Sequence, residues 1–471
     1  MGNNLTVNPM KGLHNRLGYI EVIAHLLSDV KTSIAGINTH ELDLDLGKIK
    51  VRARHEGSGF FTKTLPSLGK ALDSALLGTR PLDVGRWCKL PDTQLPKFLG
   101  ELFKRVFSPA GQLLAEPSIQ CIHVLRDLLF VFYKYEISYP QTQSEGVINT
   151  FKENEEDIAS FNQTLNCACN LDRASHGFDE LSNEPFQHHV WTWHTHANEL
   201  RDVVASMKKE AHRLFSPLDL TSIVPNHGPG VVSTGEKGPL KYRFTRYNED
   251  LERSYPYTEY MVPSLGSQSV SISAMEQLVT TRPNAKVILV PKDSRGPRLI
   301  SCEPLENQWI QQGIKDKIVS YTENHPVMGG HVNYTDQTIN RSLALQGSVD
   351  GAYCTLDLKD ASDRISLELV KQIFPEHFLE KILSCRTQAT RLPDGTVIQM
   401  AKFAPMGSAL CFPILASVIW IALTSGKNAC SRKTTYVYGD DIIVQRTDVP
   451  NAIKRLQFVG LKVNEHKSCT S

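Results

Sequence analysis

The 471-residue sequence predicts an α+β fold built on a split βαβ sheet, and three observations point to it. Tyr438-Gly439-Asp440-Asp441 reads as the tip of a tight hairpin: Thr434, Tyr436 and Tyr438 alternate on the way in, and Ile442-Ile443-Val444 leave as a β-branched run. Tyr353-Cys354-Thr355-Leu356 is a short strand-like run that ends in Asp357. Between them lies an uncharged stretch from Phe403 to Gly426, interrupted by Pro413.

Upstream of His227 the pattern is weak. Ile119 to Tyr135 is helix-like, whereas Gln141 to Asp157 is polar and acidic enough to read as a surface loop. Gly69-Lys70 is followed by Ala71 and lacks the upstream glycine of a phosphate loop. No internal repeat or low-complexity tract is present. After Asp357, the segment Ser362-Asp363-Arg364-Ile365 reads as a helix start, with Ile365, Leu369 and Ile373 at helical spacing and Pro375 as the stop. In the uncharged stretch, Pro413 fits a first helical turn and Ser425-Gly426 an end. That leaves about 11 apolar residues where a membrane span needs about 20, so a buried helix on a sheet is expected and no membrane partner. Asp448 and Pro450 open a further helix with Ala452, Ile453, Leu456 and Val459 on one face; Gly460 closes it before the strand-like Leu461-Lys462-Val463.

The chemistry sits in the carboxylates. Adjacent Asp residues on a turn repel each other, and taken alone such a pair is usually a solvated turn. A divalent cation above them reverses the sign, since Mg²⁺ takes hard oxygen ligands from one or two carboxylates and from substrate phosphates. Asp357 supplies a third carboxylate. If the two strands lie side by side, their ends can hold two Mg²⁺ ions about 4 Å apart, the arrangement for in-line phosphoryl displacement and hence nucleotidyl transfer.

With these motifs in order, the block from about Lys286 to Ser471 resembles the RNA-dependent RNA polymerase of single-stranded RNA bacteriophages, the beta subunit of the levivirus replicase. Asp357 to Asp363 resembles the first palm motif of that family, and Met406-Gly407-Ser408 through Phe412-Pro413 the second. Tyr438 to Asp441 is similar to the third, and Gly460 to Lys467 to the fourth. Val290-Pro291-Lys292 through Arg298, Glu303-Pro304, and Asp336-Gln337-Thr338-Ile339-Asn340 with Gly347-Ser348 resemble finger segments, and His227-Gly228-Pro229-Gly230 extends the likeness upstream.

The resemblance implies a right-hand polymerase with a ferredoxin-like palm. Residues 1–225 would contribute to fingers and palm, 226–326 would form fingers with a basic nucleotide-access segment, and 327–471 the catalytic palm core. Asp357 and Asp440 would bridge two Mg²⁺ ions, with Mn²⁺ as a substitute, and Asp441 would support them from the edge. Lys467 is the implied general acid for pyrophosphate. Lys292, Arg295 and Arg298 would meet the triphosphate, and Asp363, Gly407 and Ser408 the nucleotide, with Asp363 and Ser408 reading the ribose 2′-hydroxyl. The implied partners are a single-stranded RNA template, the nascent RNA, ribonucleoside triphosphates and host translation factors.

Two departures are visible. Asp357 and Asp363 lie six positions apart where many viral RNA polymerases have five, a spacing the phage family shares. The sequence also stops at Ser471, where the family continues into a thumb, so the thumb is expected to be truncated and the chain to bind single-stranded RNA without processive elongation.

Composition is consistent with this and excludes other classes. Lys plus Arg is 51 against 50 for Asp plus Glu, so RNA binding must come from local patches. One runs from Arg282 through Lys286, Lys292 and Arg295 to Arg298, opposed only by Asp293. Ten scattered cysteines without a signal peptide point to a reducing compartment, here the cytoplasm of a bacterial host. Cys167 and Cys169 with His188, His189, His194 and His196 match no standard zinc spacing, and Trp191 and Trp193 between them look like packing residues. Two other classes stay open at this point. A reverse transcriptase shares the palm and its carboxylates, and a non-catalytic RNA-binding fragment needs only the basic patch.

Overall fold

The computed structural model describes residues 9–77, 80–133, 141–174, 187–261, 278–293, 296–464 and 468; the side chains of 9–17, 170–174, 187–196 and 293 fall outside that description. Contacts divide the chain into two units, Met1–Glu145 with Val290–Arg298, and Gly146–Leu289 with Leu299–Ser471.

In the first unit, α1 (Pro9–Ser33), α2 (Thr39–Glu56), α3 (Leu65–Leu76) and α4 (Ile119–Phe130) surround one apolar core. Caps set their ends: the Asn38 side chain accepts from the His40 N–H at 3.1 Å to start α2, and Ser118 Oγ accepts from the Cys121 N–H at 3.3 Å to start α4. Leu68, Leu72 and Ala75 bury one face of α3 in the core that holds Leu125, Leu128 and Leu129 of α4. Gly69 is there for close approach, because a Cβ on it would lie 2.5 Å from Phe130 Cζ. Helix α4 ends at Phe130, short of the expected Tyr135.

The second unit begins with the 34-residue α5 (Gln141–Ala174), most of which it contains, and α6 (Gln187–Phe215). The expected loop over Gln141–Asp157 is therefore wrong. Phe151, Asn154, Glu155 and Ile158 are buried at helical spacing, while Glu153, Glu156 and Asp157 face outward. Two of the four inward residues are polar, which hides the stripe from a hydrophobicity pattern.

Strands β1 (Ala285–Asp293) and β2 (Gly296–Cys302) join β6 (Ala389–Arg391) and β7 (Val397–Gln399) in a sheet of order β2-β1-β6-β7. Helix α7 (Leu305–Glu323) leads to the central sheet, made of β3 (Val332–Asn333), β4 (Tyr353–Leu356), β8 (Tyr436–Tyr438) and β9 (Asp441–Gln445) in the order β3-β8-β9-β4. Beyond Asp357 the path of β4 continues as β5 (Leu358–Lys359), which pairs antiparallel with β10 (Lys462–Val463). The hairpin β8–β9 and β4 thus lie side by side in one sheet, while β5 and β10 pair in a separate two-stranded sheet.

Helix α10 (Cys411–Thr424) fills the core behind this sheet, every residue from Pro413 to Thr424 being buried. Its apolar surface on all sides needs partners on all sides, and it contacts β8, α6 and α11 (Val449–Phe458). Each fully buried large side chain there, such as Ile414, Ile419 or Trp420, contributes about 1.5–3 kcal/mol.

The helix expected from Ser362 starts later. A 3₁₀ turn covers Ala361–Asp363, and α9 (Leu367–Ile373) begins only after Ser366, whose Oγ accepts from the Leu369 N–H at 2.9 Å. The intervening backbone pairs instead with the segment 401–403: Ile365 C=O accepts from the Phe403 N–H at 2.7 Å, and Ser366 bridges Lys402. Tertiary pairing overrides the helical spacing of Ile365.

Candidate active site

Tyr438 pairs with Asp441 across the hairpin, leaving Gly439-Asp440 as a two-residue loop. Gly439 has φ +63°, the first-position Gly of a II′-type reversal, and a Cβ there would meet the Phe412 ring at 2.1 Å. Phe412 lies edge-on to Tyr438, with centroids 5.6 Å apart, so the first turn of α10 braces the loop. Asp440 and Asp441 are exposed.

Strands β9 and β4 pair antiparallel with Ile442 opposite Leu356; one further step of this register sets Asp441 opposite Asp357. Asp357, Asp440 and Asp441 therefore share one end of the central sheet. Among the described residues, however, no three His, Cys, Asp or Glu groups close up into a metal cage. The donor set nevertheless fits Mg²⁺, being hard carboxylate oxygen presented at an open sheet end where phosphates can complete the coordination.

Two of these carboxylates are oriented by amides. Gln337 Nε2 donates to Asp441 Oδ2 at 3.0 Å, and Asn340 Nδ2 donates to the Asp441 backbone carbonyl at 3.1 Å. Both come from the start of α8 (Thr338–Asp350), where Asp336 Oδ1 accepts from the Thr338 N–H at 2.8 Å. The segment expected among the fingers thus packs on the carboxylate-bearing strands. On the other side Asn464 Nδ2 donates to Asp357 Oδ2 at 3.0 Å and its N–H to the Asp357 carbonyl at 2.8 Å, while Ser468 Oγ accepts from the Asp357 N–H at 3.1 Å. Sequence reasoning assigned no role to Gln337 or Asn464. The one available signal was that each falls inside a segment that resembles a family motif.

Asp363 is differently placed. Its Oδ1 lies 2.8 Å from Lys402 Nζ, which is also 2.8 Å from Glu155 Oε1 and has no solvent exposure. The Phe151 ring covers the ammonium at 3.7 Å, and the Ala401 N–H donates to the second Glu155 oxygen at 2.6 Å. Arg386 fixes the same segment by donating to the carbonyls of Met400, Lys402 and Phe403 at 2.7–2.8 Å. The Cys411 thiol is held high by burial first, and then by the charge of Asp363.

Gly407 and Ser408 belong to this flank. Gly407 has φ +126°, and a Cβ would clash with the Ser301 carbonyl at 2.1 Å, so only glycine lets the loop pass. Buried Ser408 donates to Gln311 Oε1 at 3.0 Å, and Gln311 donates to the Cys385 carbonyl at 2.8 Å. Gln311 also hydrogen-bonds Glu303, whose carboxyl is pushed up to about 7 by burial against the opposing hydrogen bonds of Thr387 and Gln311.

Lys292 and Arg298 are exposed at the β1–β2 hairpin and group with the first unit. Arg295 and Lys467 lie outside the described residues. Arg282, the first residue of the basic run, pairs with Asp250 at 3.2 Å and Glu249 at 3.6 Å. Cys167 and Cys169 sit on α5, and the histidine side chains read with them lie outside the description.

Comparison with known proteins locates this geometry. The family described as RNA replicase, beta-chain, matches residues 242–471, the part that holds the carboxylates and the Ser408 loop. The RNA-directed RNA polymerase subunit beta of Qbeta virus (strain MX1) is 30% identical over 246 residues, 51% of this chain and 39% of that relative. The RNA-directed RNA polymerase beta chain of Escherichia phage MS2 is 31% identical over 186 residues, 39% of this chain and 33% of that relative. The chain thus spans well under two thirds of the length of these relatives. A solved sicinivirus 3Dpol RNA dependent RNA polymerase aligns with 55% of this chain and 62% of its own at 12% identity and a TM-score of 0.30, too low to bear on the fold. Residues 242–471 are thus similar to the RNA replicase beta-chain family.

Proposed function

We propose that this chain is an RNA-directed RNA polymerase that copies a single-stranded RNA phage genome. The observation that carries the reading is the placement of Asp357, Asp440 and Asp441 at one end of the central four-stranded sheet, inside the stretch that matches the replicase family. On this reading residues 327–471 form the palm, with finger segments upstream.

Asp357 and Asp440 would hold Mg²⁺, or Mn²⁺ in its place, with Asp441 at the edge. Bound there, the ions would activate a 3′-hydroxyl and neutralise the triphosphate, so that positioning and charge supply most of the rate enhancement. The protein's own part is orientation: Gln337 holds Asp441, Asn464 holds Asp357, and Gly439 lets the turn pass under Phe412. Ser408 and Asp363 are assigned to the ribose 2′-hydroxyl, Gly407 to the close backbone approach, Lys292, Arg295 and Arg298 to the triphosphate, and Lys467 to protonation of pyrophosphate. RNA template, nascent strand and ribonucleoside triphosphates are the substrates, host translation factors the proposed further subunits, and the bacterial cytoplasm the proposed location. No described helix is long and apolar enough to cross a membrane.

The test is Mg²⁺-dependent incorporation of a labelled ribonucleotide on a primed homopolymer template, comparing the chain with Asp440→Asn. Loss of a metal ligand should reduce incorporation by at least about 10³-fold with an unchanged unfolding midpoint. Near-normal incorporation by the folded variant removes Asp440 from the site.

A further inference from the structure

We propose that the N-terminal unit carries its own binding site for single-stranded RNA, a basic cavity bordered by α2, the turn that follows it and the loop 83–87. The site lies outside the stretch that matches the replicase family, and its choice of ligand rests on the reading that RNA is this chain's partner.

The cavity measures about 530 Å³, room for a nucleotide-sized group, and Arg52, Lys63 and Arg86 line it together with Thr64 and Ser67. Asp83 is the one acid in the lining, and it is turned to its own loop, accepting from the Gly85 N–H at 2.9 Å. The three cations come from three separate chain segments, which suits successive phosphates of a strand better than one compact anion.

Arg52 is unusually well fixed for a half-exposed cation. Its guanidinium lies 4.5 Å from the Trp87 ring centroid and 5.0 Å from that of Phe60. Trp87 in turn stacks on Phe98 at 5.1 Å and 23°. Glu56 accepts from Arg52 Nε at 2.6 Å and from Thr64 Oγ1 at 2.7 Å, so a phosphate would be met by the terminal nitrogens, the pair suited to bidentate oxygen recognition. A guanidinium held against an aromatic ring also offers a plane on which an unpaired base can stack. Arg52 is thus preorganised for a strand, while exposed Lys63 and Arg86 contribute mainly charge.

The experiment uses the full chain with a fluorescein-labelled single-stranded oligoribonucleotide, read by anisotropy across a salt series. Lys63→Glu with Arg86→Glu, both at exposed positions, should weaken binding at least about ten-fold and flatten the slope of log K against log salt by about 1.4, two phosphate contacts on a single strand. Arg52→Gln should weaken binding at an unchanged unfolding midpoint, and Trp emission should respond to RNA in the chain but not in Trp87→Phe. An unchanged affinity and slope in the double variant overturns the site. So does a UTP-induced Trp87 response as large as that of RNA at equal phosphate, which would make the ligand a free nucleotide. If the double variant loses RNA while no form incorporates nucleotides, this site stands and the polymerase reading falls. If incorporation requires Asp440 while the double variant binds RNA normally, the reverse holds.

Discussion

Asp440 and Asp441 stand exposed at a hairpin turn with neutral amides for neighbours, whereas Asp363 shares with Glu155 an ammonium group that has no exposure to solvent. On the first flank the chain holds the carboxylates at an exposed sheet end, with amide hydrogen bonds orienting Asp441 and Asp357. On the second it brings its own cation, covers it with the Phe151 ring and ties the surrounding backbone down through Arg386. Adjacent like charges on a turn repel each other, so on the proposed reading the first flank gains from an arriving cation. The second is organised to hold one geometry without help, as the proposed sugar contact would require. One flank should therefore govern reaction rate with little effect on stability, and the other stability and specificity together.

The largest expected effect breaks the second flank. Lys402→Met leaves the Glu155 and Asp363 carboxylates facing each other without their shared cation, and removing one partner of a buried ion pair costs about 3–5 kcal/mol. Asp440→Asn at the exposed turn should move stability by no more than about 0.5 kcal/mol. Urea unfolding of both variants checks the contrast, and equal midpoints would erase it.

Next comes a pH dependence confined to the second flank. The Glu303 carboxyl binds its proton more tightly in the folded chain than in the unfolded one, with its value pushed from 4.5 to about 7 by burial. The native state thus holds more protons between those values, so the stability contributed by this group is complete below about pH 4.5 and is lost as pH rises to about 7. At 1.36 kcal/mol per unit the loss is about 3 kcal/mol. Glu303→Gln should flatten that part of the stability–pH curve; a slope that survives the substitution belongs to other groups.

The two flanks also differ in how far the sequence reveals them. The hairpin, α10, α11 and β10 follow from short-range signals: Gly439 at the reversal, Pro413 inside a first turn, Gly460 at a C-terminus with φ +83°. These are local constraints, so a local reading finds them. The Glu155–Lys402–Asp363 cluster joins residues from opposite ends of the second unit, and no periodicity marks such a pairing. Glu155 was further concealed because an acidic residue in a polar stretch reads as solvated, and only its distant cation makes burial tolerable. The same blindness to long-range pairing produced the early helix start at Ser362, where the backbone of Ile365 and Ser366 is taken up by residues 401–403. It also made Arg282 part of a basic patch before Asp250 and Glu249 were seen beside it.

A smaller effect tests whether the second flank reads the sugar. Asp363→Asn keeps the shape and an oxygen for Lys402 but gives up the charge that fixes the carboxyl group. The preference for GTP over dGTP, measured as the ratio of kcat/KM values, should narrow by about 1–3 kcal/mol if a hydrogen bond to the 2′-hydroxyl depends on it. An unchanged ratio with normal incorporation would make the Lys402 cluster purely structural and leave Ser408 as the sugar contact.

The smallest expected effect concerns the first flank and separates orientation from charge. Gln337 donates to Asp441 Oδ2 from an exposed position, so its hydrogen bond is worth about 1 kcal/mol and its loss should hardly change unfolding. What it supplies is a fixed direction for one carboxylate at the edge of the proposed metal site, and groups that orient a ligand act on metal affinity. Gln337→Ala should therefore raise the Mg²⁺ concentration for half-maximal incorporation about five-fold while leaving the rate at saturating Mg²⁺ nearly unchanged. Gln337→Glu sharpens the comparison: it removes the donor and adds a negative charge beside Asp441. If orientation governs, this variant should need as much extra Mg²⁺ as the alanine variant, or more, because the carboxylates repel. A lower Mg²⁺ requirement in Gln337→Glu would show instead that accumulated charge at the sheet end, and not the direction of Asp441, controls cation binding there.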